Sequence, residues 1–175
     1  RLLPYPLSAG PAFHYLVAEY SYPINMMDFV EANQINGKVY GLYNWGGYIH
    51  WRTDGRLKVF IDGRADTLYS AQTYNEYVAV LRGAPGWMAE IERSGADYIM
   101  WPNVRNSGRQ KLGELLASGR WQTVYRDAAG FMLARADLVL PRDYVSAAAG
   151  PYQTLSYAHG LAASGEAGKA IQYFE

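Results

Sequence analysis

The sequence contains no cysteine, and this absence removes several classes of chemistry. Without thiols the chain forms no disulfide, carries no thiolate nucleophile and builds no cysteine-based zinc site. The redox compartment cannot be inferred from the residues, so the cytosol and the periplasm both remain open. The histidines, His14, His50 and His159, are scattered without an HxH or HExxH spacing. We therefore expect no metal centre and no bound cofactor.

Charge is scarce and balanced in this chain. Charged residues make up 18% of the 175 residues, and 16 Lys and Arg balance 16 Asp and Glu. A protein without a basic excess lacks the electrostatic footprint of nucleic-acid binding, so nucleic acid is not an expected partner. Long apolar runs are also missing, because charges or prolines interrupt every stretch that approaches the roughly 20 residues a membrane helix needs.

The chain does contain an alternation of strand and helix patterns. Apolar runs at 38–42, 57–61 and 97–101 predict strands, and helical spacing of apolar residues recurs between them. A hairpin is predicted at the end, because the segment 127–130 has the length and the glycine of a hairpin loop. We therefore predict an α/β fold, a three-layer domain with a mostly parallel sheet and an antiparallel C-terminal hairpin, followed by a helical tail.

Composition divides the chain into four parts. We expect residues 1–21 to be an extended lead-in punctuated by prolines and 22–136 to be the α/β domain. We expect an alanine-rich linker at 137–150 and the start of a helical repeat at 151–175. Because the chain starts without Met and stops within a helical pattern, we expect it to be a fragment of a longer protein.

The first candidate binding segment follows the first predicted strand. It reads Asn44-Trp45-Gly46-Gly47-Tyr48 and lies within a stretch that has no charged residue. Ligands of open α/β sheets bind beyond the carboxyl ends of the strands, so this predicts a loop whose rings and backbone N–H groups meet a ligand. The alternative is a glycine-rich turn whose rings pack the domain onto a neighbouring surface.

The second candidate segment follows the second predicted strand and contains Asp62, Arg64 and Asp66. Two carboxylates around a guanidinium can hold a sugar hydroxyl, a backbone amide or a cation. They can equally neutralise one another as a buried Asp–Arg fork. A third interpretation is a soluble hydrolase that uses Asp62 and Asp66 as an acid/base pair.

Several motifs carry a family resemblance through their order and spacing: YNWGGYI at 43–49, VFIDGRAD at 59–66, YNEY at 74–77, PGW at 85–87 and ADYI at 96–99. Together they resemble the soluble extracytoplasmic domain that follows the last membrane helix in many bacterial glycosyltransferase-like proteins that use lipid-linked sugars. The resemblance covers about residues 22–136.

This resemblance implies a location, a function and partners. The domain would be tethered to the membrane on its extracytoplasmic, periplasmic face, and it would not be catalytic alone. It would dock an acceptor or cover the membrane active site. Its partners would be the transmembrane part of the same polypeptide and a glycan or peptide acceptor. We expect an exposed recognition edge made by Trp45, Tyr48, Asp62 and Arg64.

A more remote similarity links the first segment and Asp62 to the WWDYG segment of the oligosaccharyltransferase catalytic subunit. The chain departs from that motif at Asn44 and Gly46, where the motif has tryptophan and aspartate, so recognition of an acceptor sequon is not implied.

The tail from residue 152 resembles the start of a tetratricopeptide repeat, with Ala158, Gly165, Ala170 and Phe174 at matching positions. A lone helix pair packed on the domain remains an alternative. The tail also favours a second function, that of a protein-interaction module that recruits partner proteins through its aromatic surface and its helical tail.

Overall fold

The structure is a computed structural model that describes residues 22–103, 105–127 and 129–139. The predicted lead-in 1–21, most of the predicted linker and the predicted repeat at 151–175 lie outside these residues. The described elements are α1 Ile24–Ala32, β1 Gly37–Gly41, α2 Tyr43–Arg52, β2 Leu57–Val59, α3 Ala65–Leu68, α4 Ala71–Arg82, α5 Trp87–Arg93, β3 Tyr98–Pro102, α6 Arg105–Ala117, β4 Trp121–Arg126 and β5 Gly130–Arg135.

The strands form a five-stranded sheet in the order β2-β1-β3-β5-β4. Strand β1 pairs in parallel with β2 and β3, placing Val39 opposite Val59 on one side and opposite Tyr98 on the other. Strand β5 pairs antiparallel with both β3 and β4, so it alone runs against the other four described strands. The predicted α/β class, mostly parallel sheet and C-terminal hairpin are confirmed.

Each face of the sheet carries its own hydrophobic core. Along β3, Tyr98 and Met100 enter one core while Ile99 and Trp101 enter the other. Helices α1 and α2 supply the first core, and α4, α5 and α6 supply the second. Burial on both faces explains why the predicted strands are apolar without alternation, and it confirms the three-layer arrangement.

Local signals set the two ends of α4. The Ser70 hydroxyl accepts a hydrogen bond from the Thr73 N–H at 3.1 Å, which caps the first turn. At the other end Gly83 takes a left-handed conformation with φ 67°, which is typical of a helix C-terminus.

Asp127 organises the loop of the β4–β5 hairpin. Its Oδ1 accepts hydrogen bonds from the backbone N–H of Ala129 at 2.9 Å and of Gly130 at 2.8 Å. The Tyr125 hydroxyl donates to Oδ2 at 3.1 Å, and Asp127 is fully buried. Burial raises the pKa of Asp127, although these hydrogen bonds act in the opposite direction. The Asn103 amide donates to the Asp127 carbonyl at 2.6 Å, which ties the loop to the end of β3.

Replacing Asp127 with alanine should destabilise the domain. The change leaves the N–H groups of Ala129 and Gly130 without their acceptor, and each buried unpaired donor costs about 1 to 3 kcal/mol. We expect the free energy of unfolding in urea to fall by about 2 kcal/mol or more. Asp137→Ala is the matched control, because Asp137 pairs with Arg135 in solvent and its loss should change little. Equal effects of the two variants would contradict this account of the loop.

Candidate functional site

The first candidate segment is helical, and the prediction of a loop at Asn44 to Tyr48 is wrong. These residues form the first half of α2 Tyr43–Arg52. The helix starts after Leu42 without a side-chain cap, and the Tyr43 N–H instead donates to the Tyr77 hydroxyl of α4 at 3.0 Å. Tertiary contacts therefore outweigh the low helix propensity of the two glycines.

The inward side of α2 carries Trp45, Gly46 and Ile49, all of which are buried. Trp45 is only 3% exposed and belongs to the core shared with α1. Its indole packs so closely on β5 that a Cβ added at Gly130 would lie 2.9 Å from Trp45 Cη2. The expectation that Trp45 lies on an exposed recognition edge is therefore wrong, because its ring fills the interior instead.

The outward side of α2 carries the other residues of the segment. Asn44 and Gly47 are exposed and Tyr48 is half-buried. Trp51 joins them at the next turn and is 51% exposed. Sequence reasoning left Trp51 out of the candidate site, although the spacing i, i+3, i+4 and i+7 from Asn44 would have placed it on this side once the segment was treated as a helix.

Gly46 brings the two candidate segments together. A Cβ at this position would lie 2.5 Å from the Ile61 carbonyl oxygen and 2.6 Å from Asp62 Cβ, which is closer than real Cβ contacts. Only a glycine lets α2 pack directly on the chain that leaves β2. The residues of both segments therefore meet at one edge of the sheet.

Asp62 and Arg64 form the fork that the sequence offered as an alternative. Arg64 Nε donates to Asp62 Oδ1 at 3.0 Å, and Nη2 donates to Oδ2 at 2.6 Å. Asp62 is 1% exposed, so its expected exposure is wrong, whereas the Arg64 side chain is 53% exposed as predicted. The hydrogen bonds from Arg64 hold the pKa of Asp62 below its usual range. Asp66 lies in α3, and its side chain is outside the described part of the chain.

A separate groove lies at the opposite edge of the sheet, where β3 and β4 begin. It has a volume of about 390 Å³ and a floor that includes Trp121. Its charges pair with each other, since Arg120 donates to Glu92 at 2.8 Å and Arg135 pairs with Asp137. These residues come from distant stretches of the sequence, and no local motif signalled them.

Comparisons with known proteins leave the site to be interpreted from its own geometry. The chain matches no protein-family model, no curated protein and no solved structure. Across residues 22–103, 105–127 and 129–139, no three His, Asp or Glu side chains group as metal ligands do. Within the same ranges, no helix has both the length and the apolar character needed to cross a bilayer.

The two adjacent glycines of α2 should respond oppositely to alanine. Gly46→Ala forces α2 away from Ile61 and Asp62, and overpacking of this kind costs about 1 to 3 kcal/mol. Gly47→Ala meets nothing within 4 Å and should stabilise the domain by about 0.5 to 1 kcal/mol through helix propensity. Urea denaturation of both variants checks this, and a stabilising Gly46→Ala would rule out the close contact.

The Asp62→Asn variant should reveal the fork through its pH dependence. Because the folded-state pKa of Asp62 is lowered, its carboxylate stabilises the fold above the unfolded-state pKa of about 3.9. That contribution is lost as the pH falls through the folded-state pKa. We expect the variant to be less stable than the wild type near neutral pH and the difference to shrink in acid, as followed by thermal unfolding. A difference that stays constant with pH would mean that the Asp62 charge plays no part.

Proposed function

We propose that residues 22–136 form the extracytoplasmic accessory domain of a membrane-embedded glycosyltransferase-like protein. On this proposal the domain is tethered at the periplasmic face and is not catalytic alone. It docks the acceptor of the sugar beside the membrane active site or covers that site. The ordered motifs between residues 43 and 99 support the assignment, and an α/β fold is compatible with it.

One observation supports a docking edge most directly. The motifs at 43–49 and 59–66 are separated by nine residues in the sequence, yet they touch where Gly46 meets Ile61 and Asp62. Two motifs that carry the family resemblance thus pack directly against each other through buried atoms. This contact supports a common role for the two segments.

Arg64 is the side chain of this edge that is best placed to meet a ligand. Asp62 orients it by accepting three hydrogen bonds from the guanidinium, and it neutralises part of the charge. The guanidinium has more N–H donors than this fork uses, and half of the side chain faces solvent. Sugar hydroxyl or phosphate oxygens are suitable acceptors for such donors.

The geometry of Asp62 argues against the hydrolase interpretation. A general acid requires a carboxyl whose pKa is raised towards the working pH. Arg64 does the opposite, because its hydrogen bonds lower the pKa of Asp62 and favour the ionised form. Asp62 is therefore better suited to positioning Arg64 than to proton transfer.

The proposal predicts a binding defect for Arg64→Ala in the full-length protein. The assay follows transfer of a radiolabelled sugar from its polyprenyl-phosphate carrier in membrane vesicles. We expect the rate to fall about tenfold at low acceptor concentration and to recover at saturation, which identifies lost binding. Arg64→Lys keeps the charge without the planar fork and should give an intermediate effect.

Two results would overturn the proposal. One is a coding region upstream of Arg1 that holds no stretches of about 20 apolar residues. The other is Arg64→Ala transfer that equals the wild type at every acceptor concentration. Capture of a partner protein that is lost on deleting residues 151–175 would favour the interaction-module alternative instead.

A further inference from the structure

An aromatic cluster lies where α1 and α2 meet, and the docking edge does not account for it. The Tyr48 ring centroid lies 5.2 Å from that of Tyr22 and 6.0 Å from that of Trp51. Trp51 is 51% exposed, so about half of its surface faces solvent. The cluster thus presents an indole to solvent beside a tyrosine that is partly buried.

A buried arginine fixes the geometry of this cluster. Arg52 Nη1 donates to the Tyr48 hydroxyl at 2.8 Å, and the Arg52 side chain is only 8% exposed. The same guanidinium donates to Asp28 Oδ1 and to Glu31 Oε1, both at 2.8 Å. Arg52 therefore links α1 to α2 and holds Tyr48 in place beside Trp51. A surface held in this way loses little conformational entropy when a ligand binds.

Polar acceptors lie beside the aromatic rings. The side chains of Asp28 and Glu31 are 22% and 37% exposed, so solvent reaches both carboxylates. Each accepts a hydrogen bond from Arg52. Among these three groups two carboxylates face one guanidinium, a balance that disfavours an anionic ligand.

We infer that this surface binds a pyranose ring of a neutral glycan, and we name it the Trp51 platform: Tyr22, Asp28, Glu31, Tyr48, Trp51 and Arg52. A pyranose has an apolar C–H face and a rim of hydroxyl groups. The apolar face stacks on the Trp51 indole, and the hydroxyls donate to the carboxylates of Asp28 and Glu31.

This inference rests on the proposed function and names the chemical class of the acceptor. Trp51 lies on α2, the same helix that carries the first of the two motifs behind the proposed function.

The size of the patch favours a sugar over a protein partner. A stable protein interface buries about 800 Å² on each side, which needs several exposed apolar side chains together. The other exposed large apolar and aromatic side chains of the described residues are Tyr74, Leu81, Leu116, Leu68 on α3 and Val139 after β5. The first three lie on α4 and α6, which cover the opposite face of the sheet from α2. The Trp51 platform therefore offers one exposed ring with polar neighbours.

Titration of the 175-residue chain with maltose, cellobiose, mannobiose and chitobiose tests the inference. The Trp51 indole N–H resonance reports binding by NMR. We expect saturable binding to at least one disaccharide, with an affinity on the order of 1 mM. Trp51→Ala should weaken it at least about tenfold, and Trp51→Tyr should retain most of it because a ring remains. Binding to both variants is followed by saturation-transfer NMR of the sugar.

Tyr74→Ala is the matched control, since Tyr74 is 47% exposed on α4 and should leave the affinity unchanged. Glu31→Gln removes a carboxylate charge but keeps the Trp51 indole, so it should weaken binding by a smaller factor than Trp51→Ala does. The inference is overturned if no disaccharide binds saturably, or if Trp51→Ala binds as tightly as the wild type while its circular dichroism shows a folded domain.

The outcomes separate this inference from the proposed function. If disaccharides fail to bind while Arg64→Ala still impairs sugar transfer, the Trp51 platform is wrong and the docking edge stands. If disaccharides bind through Trp51 while the upstream coding region lacks membrane spans, the glycan site stands and the membrane assignment is lost.

Discussion

The missing side chain at Gly46 is the constraint on which this part of the molecule depends. Because the backbone of α2 approaches the Ile61 carbonyl and Asp62 so closely, the helix lies against the strand exit with no intervening side chain. This close packing of α2 buries Trp45 in the core and helps to cover Asp62. It also fixes which residues of α2 remain outside. The proposed docking edge and the proposed Trp51 platform both depend on this close contact.

Much of the fold follows from signals that act over a few residues. Ser70 and Gly83 bound α4 through a side-chain cap and a left-handed turn, and both features are visible in the sequence. The hairpin follows from the short loop that ends in Gly130. The apolar run of β3 indicates a strand covered on both faces, and the two cores bear this out. Each of these signals depends on residues that are close in the sequence and not on distant contacts.

The candidate site was harder to predict because its geometry depends on contacts between distant segments. Paired glycines favour a turn by propensity, and nothing near Gly46 in the sequence shows that Asp62 lies against it. The burial of Trp45 depends on β5, which is formed some 85 residues later in the chain. The sequence predicts the Asp62–Arg64 fork as an alternative, because the two residues lie only two positions apart. Which of the two side chains would be exposed depended on the packing of α2.

The position of β5 also governs how the domain can fold. Of the five described strands this one is synthesised last, yet it lies inside the sheet between β3 and β4. Its residues Phe131 and Leu133 complete one core, while Met132 and Ala134 complete the other. A nascent chain that ends before Gly130 therefore leaves both layers unfinished and the edge of β3 unpaired. We therefore expect the two layers to fold together in one cooperative event, after the hairpin has been synthesised.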